Sequence, residues 1–203
     1  MTTVTKITTG VAGVSTLGGG VALGVSLFKE KQTVSTRLVA EGFDVNVTDF
    51  GNLLTKHNLA KEPNIFVDTS VTTKDTAWLQ TQCKRALEGG IKDEKNYKLA
   101  RQWCVKERAI SDIFGSIGLK ALDNTGNRDD NGTWKTHEVV LKKDVTTAGK
   151  LSETMKGDTT ITVANIKSAC TALIAINTTD KDFNDKFELS KTWCAVKDPK
   201  KQK

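Results

Sequence analysis

The chain has 203 residues, 6% of them aromatic and 27% charged, with a formal net charge of +6. That length holds one larger domain or two modules near the lower limit for an independent core, thin enough for cross-links to matter. The basic excess excludes an ordinary nucleic-acid surface: residues 34–105 carry ten basic against nine acidic residues and residues 106–196 thirteen of each, so the surplus lies at the two ends and not on a folded face.

Between Lys6 and Lys29 run 22 uncharged residues. At about 1.5 Å of rise per residue a helix of that length crosses a bilayer. Val4, Ile7, Val11, Val14, Val21 and Val25 recur at helical steps, while Gly20 and Gly24 form a GxxxG step. The expectation over 1–31 is an uncleaved signal-anchor that holds the chain in a membrane. A cleaved signal peptide and a soluble leader stay open, because the glycines make the span marginal.

The rest is read as mainly α: two tandem small helical modules, 32–108 and 109–196, made by internal duplication, then a basic disordered tail over 197–203. Val34-Ser35, Leu38 and Gly42-Phe43 recur at the same offsets as Ile110-Ser111, Phe114 and Gly118-Leu119. Each block predicts a short helix (34–41 and 110–117), Thr33 capping the first. Gly42 and Gly118 take the left-handed position of a Schellman motif. Phe50, Leu53 and Leu54 follow in the first module; in the second, Trp134 and the run Val139, Val140 and Leu141 read as strand-like, a minor β element. Leu79, Cys83 and Leu87, and again Ile166, Cys170 and Ile174, lie on one helical face. The last helices are expected over Tyr97–Val105 and Phe187–Val196, each carrying a Trp-Cys step at Trp103-Cys104 and Trp193-Cys194. Arg101 and Lys191, two residues ahead of those tryptophans, read as solvated. From the first helix to the second Trp the later module is longer by fourteen residues, assigned to 142–163.

Two cysteines per module invite one bridge within each: Cys83 with Cys104 and Cys170 with Cys194, separated by 21 and 24 residues. Two adjacent antiparallel helices bring such pairs together. Four cysteines allow three pairings, and four reduced core thiols are the other reading. No CxxC spacing supports zinc or thioredoxin chemistry.

Asn127, Asp129, Asn131, Gly132 and Glu138 fall at positions 1, 3, 5, 6 and 12 of an EF-hand loop. Asn replaces the Asp at position 1, and a plain turn explains the same residues. His57 and His137 are the only histidines and stand one in each module, which argues against a catalytic dyad or a metal cluster. With no GxSxG, P-loop or HExxH motif, neither an enzymatic activity nor a cofactor is expected. Gly42, Gly118, Trp103 and Trp193 are assigned to scaffold.

Together the Gly-rich apolar span, V-S-x-x-L-x-x-x-G-F, the C-x-x-A-L helix, Y-K-L-A-R-Q-W-C-V and the terminal W-C-A-V resemble the large paralogous families of uncharacterised proteins of haemotropic mycoplasmas, which parasitise red blood cells. The resemblance covers essentially the whole chain and rests on packing motifs. It implies a membrane-associated or exported protein, displayed outside the cell and involved in host contact or antigenic diversity, with a host-cell surface component as partner. The alternative is a secreted ligand-binding or calcium-dependent module.

Overall fold

The structure, a computed structural model, describes residues 32–126, 130–153 and 160–201. It is mainly helical. The first half contributes α1 (Val34–Ala40), α2 (Phe50–Leu59), α3 (Thr76–Glu88) and α4 (Glu94–Trp103). The second contributes α5 (Ile110–Ser116), β1 (Leu119–Ala121), α6 (Asn131–Leu141), α7 (Val145–Ser152), α8 (Val163–Ile174), α9 (Phe183–Trp193) and β2 (Ala195–Lys197), followed by a 3-10 turn at Pro199–Lys201.

Short polar caps set many of the boundaries. Thr33, Asp49, Asp75, Asp93, Asp144 and Thr162 each accept a first-turn N–H of the helix they precede. Such a cap stabilises a helix by about 1 kcal/mol, which matters for elements of only seven to thirteen residues.

The first and fifth helices are tied down alike. The Val34 N–H donates to the Gly89 carbonyl beyond α3, and the Ile110 N–H to the Ile176 carbonyl beyond α8, each at 2.9 Å. Thr33 bridges Gly90 and Ala109 bridges Asn177, both antiparallel. Gly42 and Gly118 are both left-handed, at φ +80° and +71°. After α1 the Schellman bonds form, Phe43 N–H to Leu38 and Gly42 N–H to Val39, each at 3.0 Å. After α5 the chain departs from that expectation: Leu119 enters β1, and the Gly118 carbonyl accepts from the Asp198 N–H at 2.8 Å.

Three further expectations are corrected. Residues 134–141 are helical, because Trp134 and Leu141, two turns apart, share the buried face while Val139 and Val140 are exposed. The β structure lies elsewhere, in the antiparallel pair β1–β2 with Lys120 opposite Val196. The last helix ends at Trp193 instead of Val196, and the basic end continues as ordered backbone to Lys201. Within 142–163 lies α7, packed on α6 and α8; between α2 and α3 the described residues hold no helix.

Two apolar clusters form the interior. The larger joins α1–α4 to Ile110, Ile113 and Phe114 of α5 and to Phe183 and Phe187 of α9; the smaller lies among α6, α7 and α8. Phe43 meets Phe187 and Phe183 edge-on at 5.5 and 6.3 Å, so the first core is completed by side chains of the second half. Among the described residues no helix is long and apolar enough to cross a membrane. Residues 1–31, and with them the signal-anchor, lie outside the described residues.

Candidate functional site

All four cysteines are paired: Cys83 with Cys104 and Cys170 with Cys194, with Cα–Cα distances of 5.2 and 5.3 Å. Each bridge joins the middle of one helix to the C-cap of the antiparallel helix that follows it. Cys83 and Cys170 lie 3.4 and 3.5 Å from the carbonyls of Trp103 and Trp193. These are packing contacts, since a bridged sulfur carries no hydrogen to donate. Trp103 is buried and its indole N–H donates to the Asn64 carbonyl at 2.7 Å; Trp193 is half-buried. Neither Trp-Cys step is among the residues lining the clefts described below.

Where the halves meet, Arg101 is buried instead of solvated. Helix α4 carries it one turn beyond Tyr97, and α9 supplies its partners. Its guanidinium donates to Asn184 Oδ1 at 2.7 Å and to Glu188 Oε1 at 2.9 Å, with Tyr97 OH at 3.4 Å. It also lies 5.3 Å from the Phe187 ring centroid. Burial pushes the Tyr97 hydroxyl well above its ordinary range, and its hydrogen bond to Glu41 adds to that. Burial alone would raise the Glu188 carboxyl, yet hydrogen bonds from Lys191 and Arg101 outweigh it and hold the group below its usual value. Lys191, unlike Arg101, stays near the surface.

Beside this junction opens a cleft of about 760 Å³. Its walls are the end of α2 (Lys56, Leu59), the loop 60–64, Gln102 of α4 and the segment 179–182. A smaller cleft of about 340 Å³ shares Pro63, Asn64, Gln102 and Asp182 with it. Gln102 is buried and donates to the Asp180 carbonyl at 3.2 Å. Lys56 pairs with Glu107, which also accepts from Thr179 at 2.8 Å and from Asn52 at 3.0 Å. Burial pushes the Glu107 carboxyl up, but these donors, Lys56 first, bring it below its ordinary value. Asp182 sits at φ 60°, left-handed for a residue with a side chain, and its carboxylate makes no cap hydrogen bond to the helix it precedes.

The EF-hand reading does not survive in the described part. Asn131 and Glu138 both lie within α6, which separates them by about 10 Å along the axis, too far to share one ion as positions 5 and 12 do. Glu138 instead pairs with Lys142 at 2.7 Å. Asn127 and Asp129 lie outside the described residues. Among the described residues no three His, Cys, Asp or Glu side chains are placed to hold a metal ion.

Sequence reading missed the cleft because its walls come from three distant segments. For the burial of Arg101 beside it one signal was present: Tyr97 and Arg101 stand four apart, on one helical face, which marks Arg101 as a neighbour of a core aromatic. Compared with family models, curated proteins and solved structures, the chain matches none.

Proposed function

We propose that this is a non-enzymatic exported protein, membrane-anchored through its N-terminal segment, with residues 32–203 outside the cell. The pairing of all four cysteines carries this reading. Disulfides persist in oxidising surroundings and are rare where thiols are kept reduced. The uncharged stretch from Ile7 to Phe28 supplies a means of export and retention, with secretion as the alternative. Two copies of one helical module make up the body. That origin is supported by the matched ties of α1 and α5, the two left-handed glycines and the two bridges ending on Trp-Cys steps. Display to a host cell, with contact or antigenic variation as its purpose, follows from the resemblance to the haemotropic mycoplasma families.

Surface proteolysis of intact cells, followed by non-reducing mass mapping, tests location and cross-links together. The expected result is release of peptides linked Cys83–Cys104 and Cys170–Cys194. Protection of the chain until lysis, with alkylatable thiols, would overturn the reading.

A second reading, a secreted ligand-binding module, is favoured by one observation: the strained Asp182 backbone faces the larger cleft. Asp182→Gly relieves that strain. It should raise the melting temperature of the free protein while removing any shift produced by a panel of short peptides and sugars; a panel without effect on either form would count against binding there.

A further inference from the structure

The chain's only two histidines and all four of its tryptophans gather into two boxes of the same composition. His57 meets Trp103 and Trp78 edge-on, at ring separations of 5.1 and 5.4 Å. His137 meets Trp193 and Trp134 likewise, at 5.1 and 6.1 Å. Each box ties the helix after the first loop of its half, α2 or α6, to the tryptophan beside a disulfide cysteine. In both, Nδ1 is buried without a hydrogen-bond partner among the described residues.

We propose that the two histidines are a matched pair of acid-sensitive latches, each holding its tryptophans together while neutral and releasing them when protonated. This proposal stands apart from the reading of location above.

The geometry gives the reason. His57 Nε2 accepts the Phe66 N–H at 3.0 Å, so in the neutral ring the proton sits on Nδ1. A second proton on Nε2 would face that N–H, break the bond and leave an imidazolium among Trp103, Trp78 and Phe66. His137 is held the other way, through a hydrogen bond to the Trp193 carbonyl that favours its charged form, so a second proton goes to the orphaned Nδ1.

The charges around the two rings give little relief. On the α3 side of His57, Lys74 adds a like charge, while Asp75 is engaged with the α3 cap and Asp68 with Ser70. On its own helix, Lys56 is paired with Glu107, and Asn58 alone favours protonation. Around His137, Lys167 of α8 lies 5.9 Å from the Trp134 ring, Glu138 is paired with Lys142, and Lys191 of α9 with Glu188. Burial, aided by Lys74, lowers the His57 pKa to about 4; burial lowers that of His137.

For a group held below its unfolded value, the stabilisation is complete above that value and is lost as pH falls through the window. That window runs from about 6.5, the unperturbed value, down to about 4 for His57. The half-buried His137 is expected to protonate first.

The test is a titration of the full chain from pH 8 to 3.5, following tryptophan emission with near- and far-UV circular dichroism. Wild type should lose tryptophan packing between pH 6.5 and 4 with much of its helix retained. The double variant His57→Gln/His137→Gln keeps an acceptor toward the Phe66 N–H but cannot titrate, and should move the midpoint down by about one pH unit. An unmoved midpoint would assign the transition to carboxylates and overturn the proposal. Should the variant not fold, imidazole NMR resonances of the wild type decide the matter. A tryptophan change that follows either imidazole midpoint supports the latch; one that occurs while both rings remain neutral sinks it.

Discussion

In the first half, His57 and Trp103 are sealed from solvent, at 1% and 0% exposure, while His137 and Trp193, in the same kind of setting, are only half-buried. The difference comes from what closes each core. Around α1–α4 the lid is borrowed: α5 lends Ile110, Ile113 and Phe114, and α9 lends Phe183 and Phe187. The cluster around α6–α8 is smaller and, among the described residues, receives no large side chain from α1–α4. The first core is therefore a joint product, complete only when the second half is in place. Matching local patterns do not make two independent domains when one half spends its aromatics on the core of the other.

The two bridges give the sharpest test of that asymmetry. Their closed loops are nearly equal, with separations of 21 and 24 residues, so loop entropy predicts a similar loss of about 3 kcal/mol for removing either. Cys83→Ala/Cys104→Ala and Cys170→Ala/Cys194→Ala can be compared by urea unfolding read from tryptophan emission. Equal losses in a single shared transition are expected, because opening the second half also uncovers the first core. Two separable transitions, with the first half outlasting the second, would break the comparison.

Arg101 tests the same junction with less disruption. Arg101→Met keeps the stem packed against the aromatic rings but removes the donors to Asn184 and Glu188. A loss of about 2 kcal/mol is expected, since Asn184 Oδ1 is left buried without its donor, while the exposed Glu188 adds little. Lys191→Met, which removes a half-buried partner of the same exposed Glu188, should cost less than about 0.5 kcal/mol. Similar losses at both sites would mean that Arg101 is not a tie between the halves.

These residues also show how far the chain could be read in advance. The bridges were legible because similar cysteine spacings, 21 and 24 residues, coincide with an antiparallel helix pair in each half. The start and end of the first helix were legible from Thr33 and Gly42, which are local signals. Residues 139–141 misled because three apolar residues in a row look like a strand until Trp134 and Leu141 are placed two turns apart on one face. Arg101 misled because a charged side chain is exposed by default, and its acceptors lie more than eighty residues away. The cleft near Gln102 had no local signature at all.

Gly42 and Gly118 set the comparison at one atom each. Both are left-handed, so an alanine at either costs about 1 kcal/mol in backbone strain. At Gly42 a methyl would also come within 2.7 Å of Ile117 and 2.8 Å of Ser116, whereas at Gly118 the nearest atom is Lys201 Cβ at 4.0 Å. Gly42→Ala should therefore lose about 2 kcal/mol, and Gly118→Ala about half of that. Thermal unfolding of the two variants reads the difference. Equal shifts would mean that α1 and α5 do not approach as closely as the Gly42 contact implies.

The smallest effect separates the junction from the latches. Glu107 is held below its unfolded value by Lys56, Thr179 and Asn52, so its stabilisation is present above about pH 4.3 and is lost as pH falls through the lowered folded value. The pair is partly exposed, which limits the contribution to about 1 kcal/mol. The histidines lose theirs at higher pH, between about 6.5 and 4 for His57. Glu107→Gln should flatten only the acid end of a stability-versus-pH curve and leave the fall below pH 6.5 in place. A change above pH 5 in that variant would show that the junction and the first Trp–His–Trp box open together, through α2, the helix that carries both Lys56 and His57.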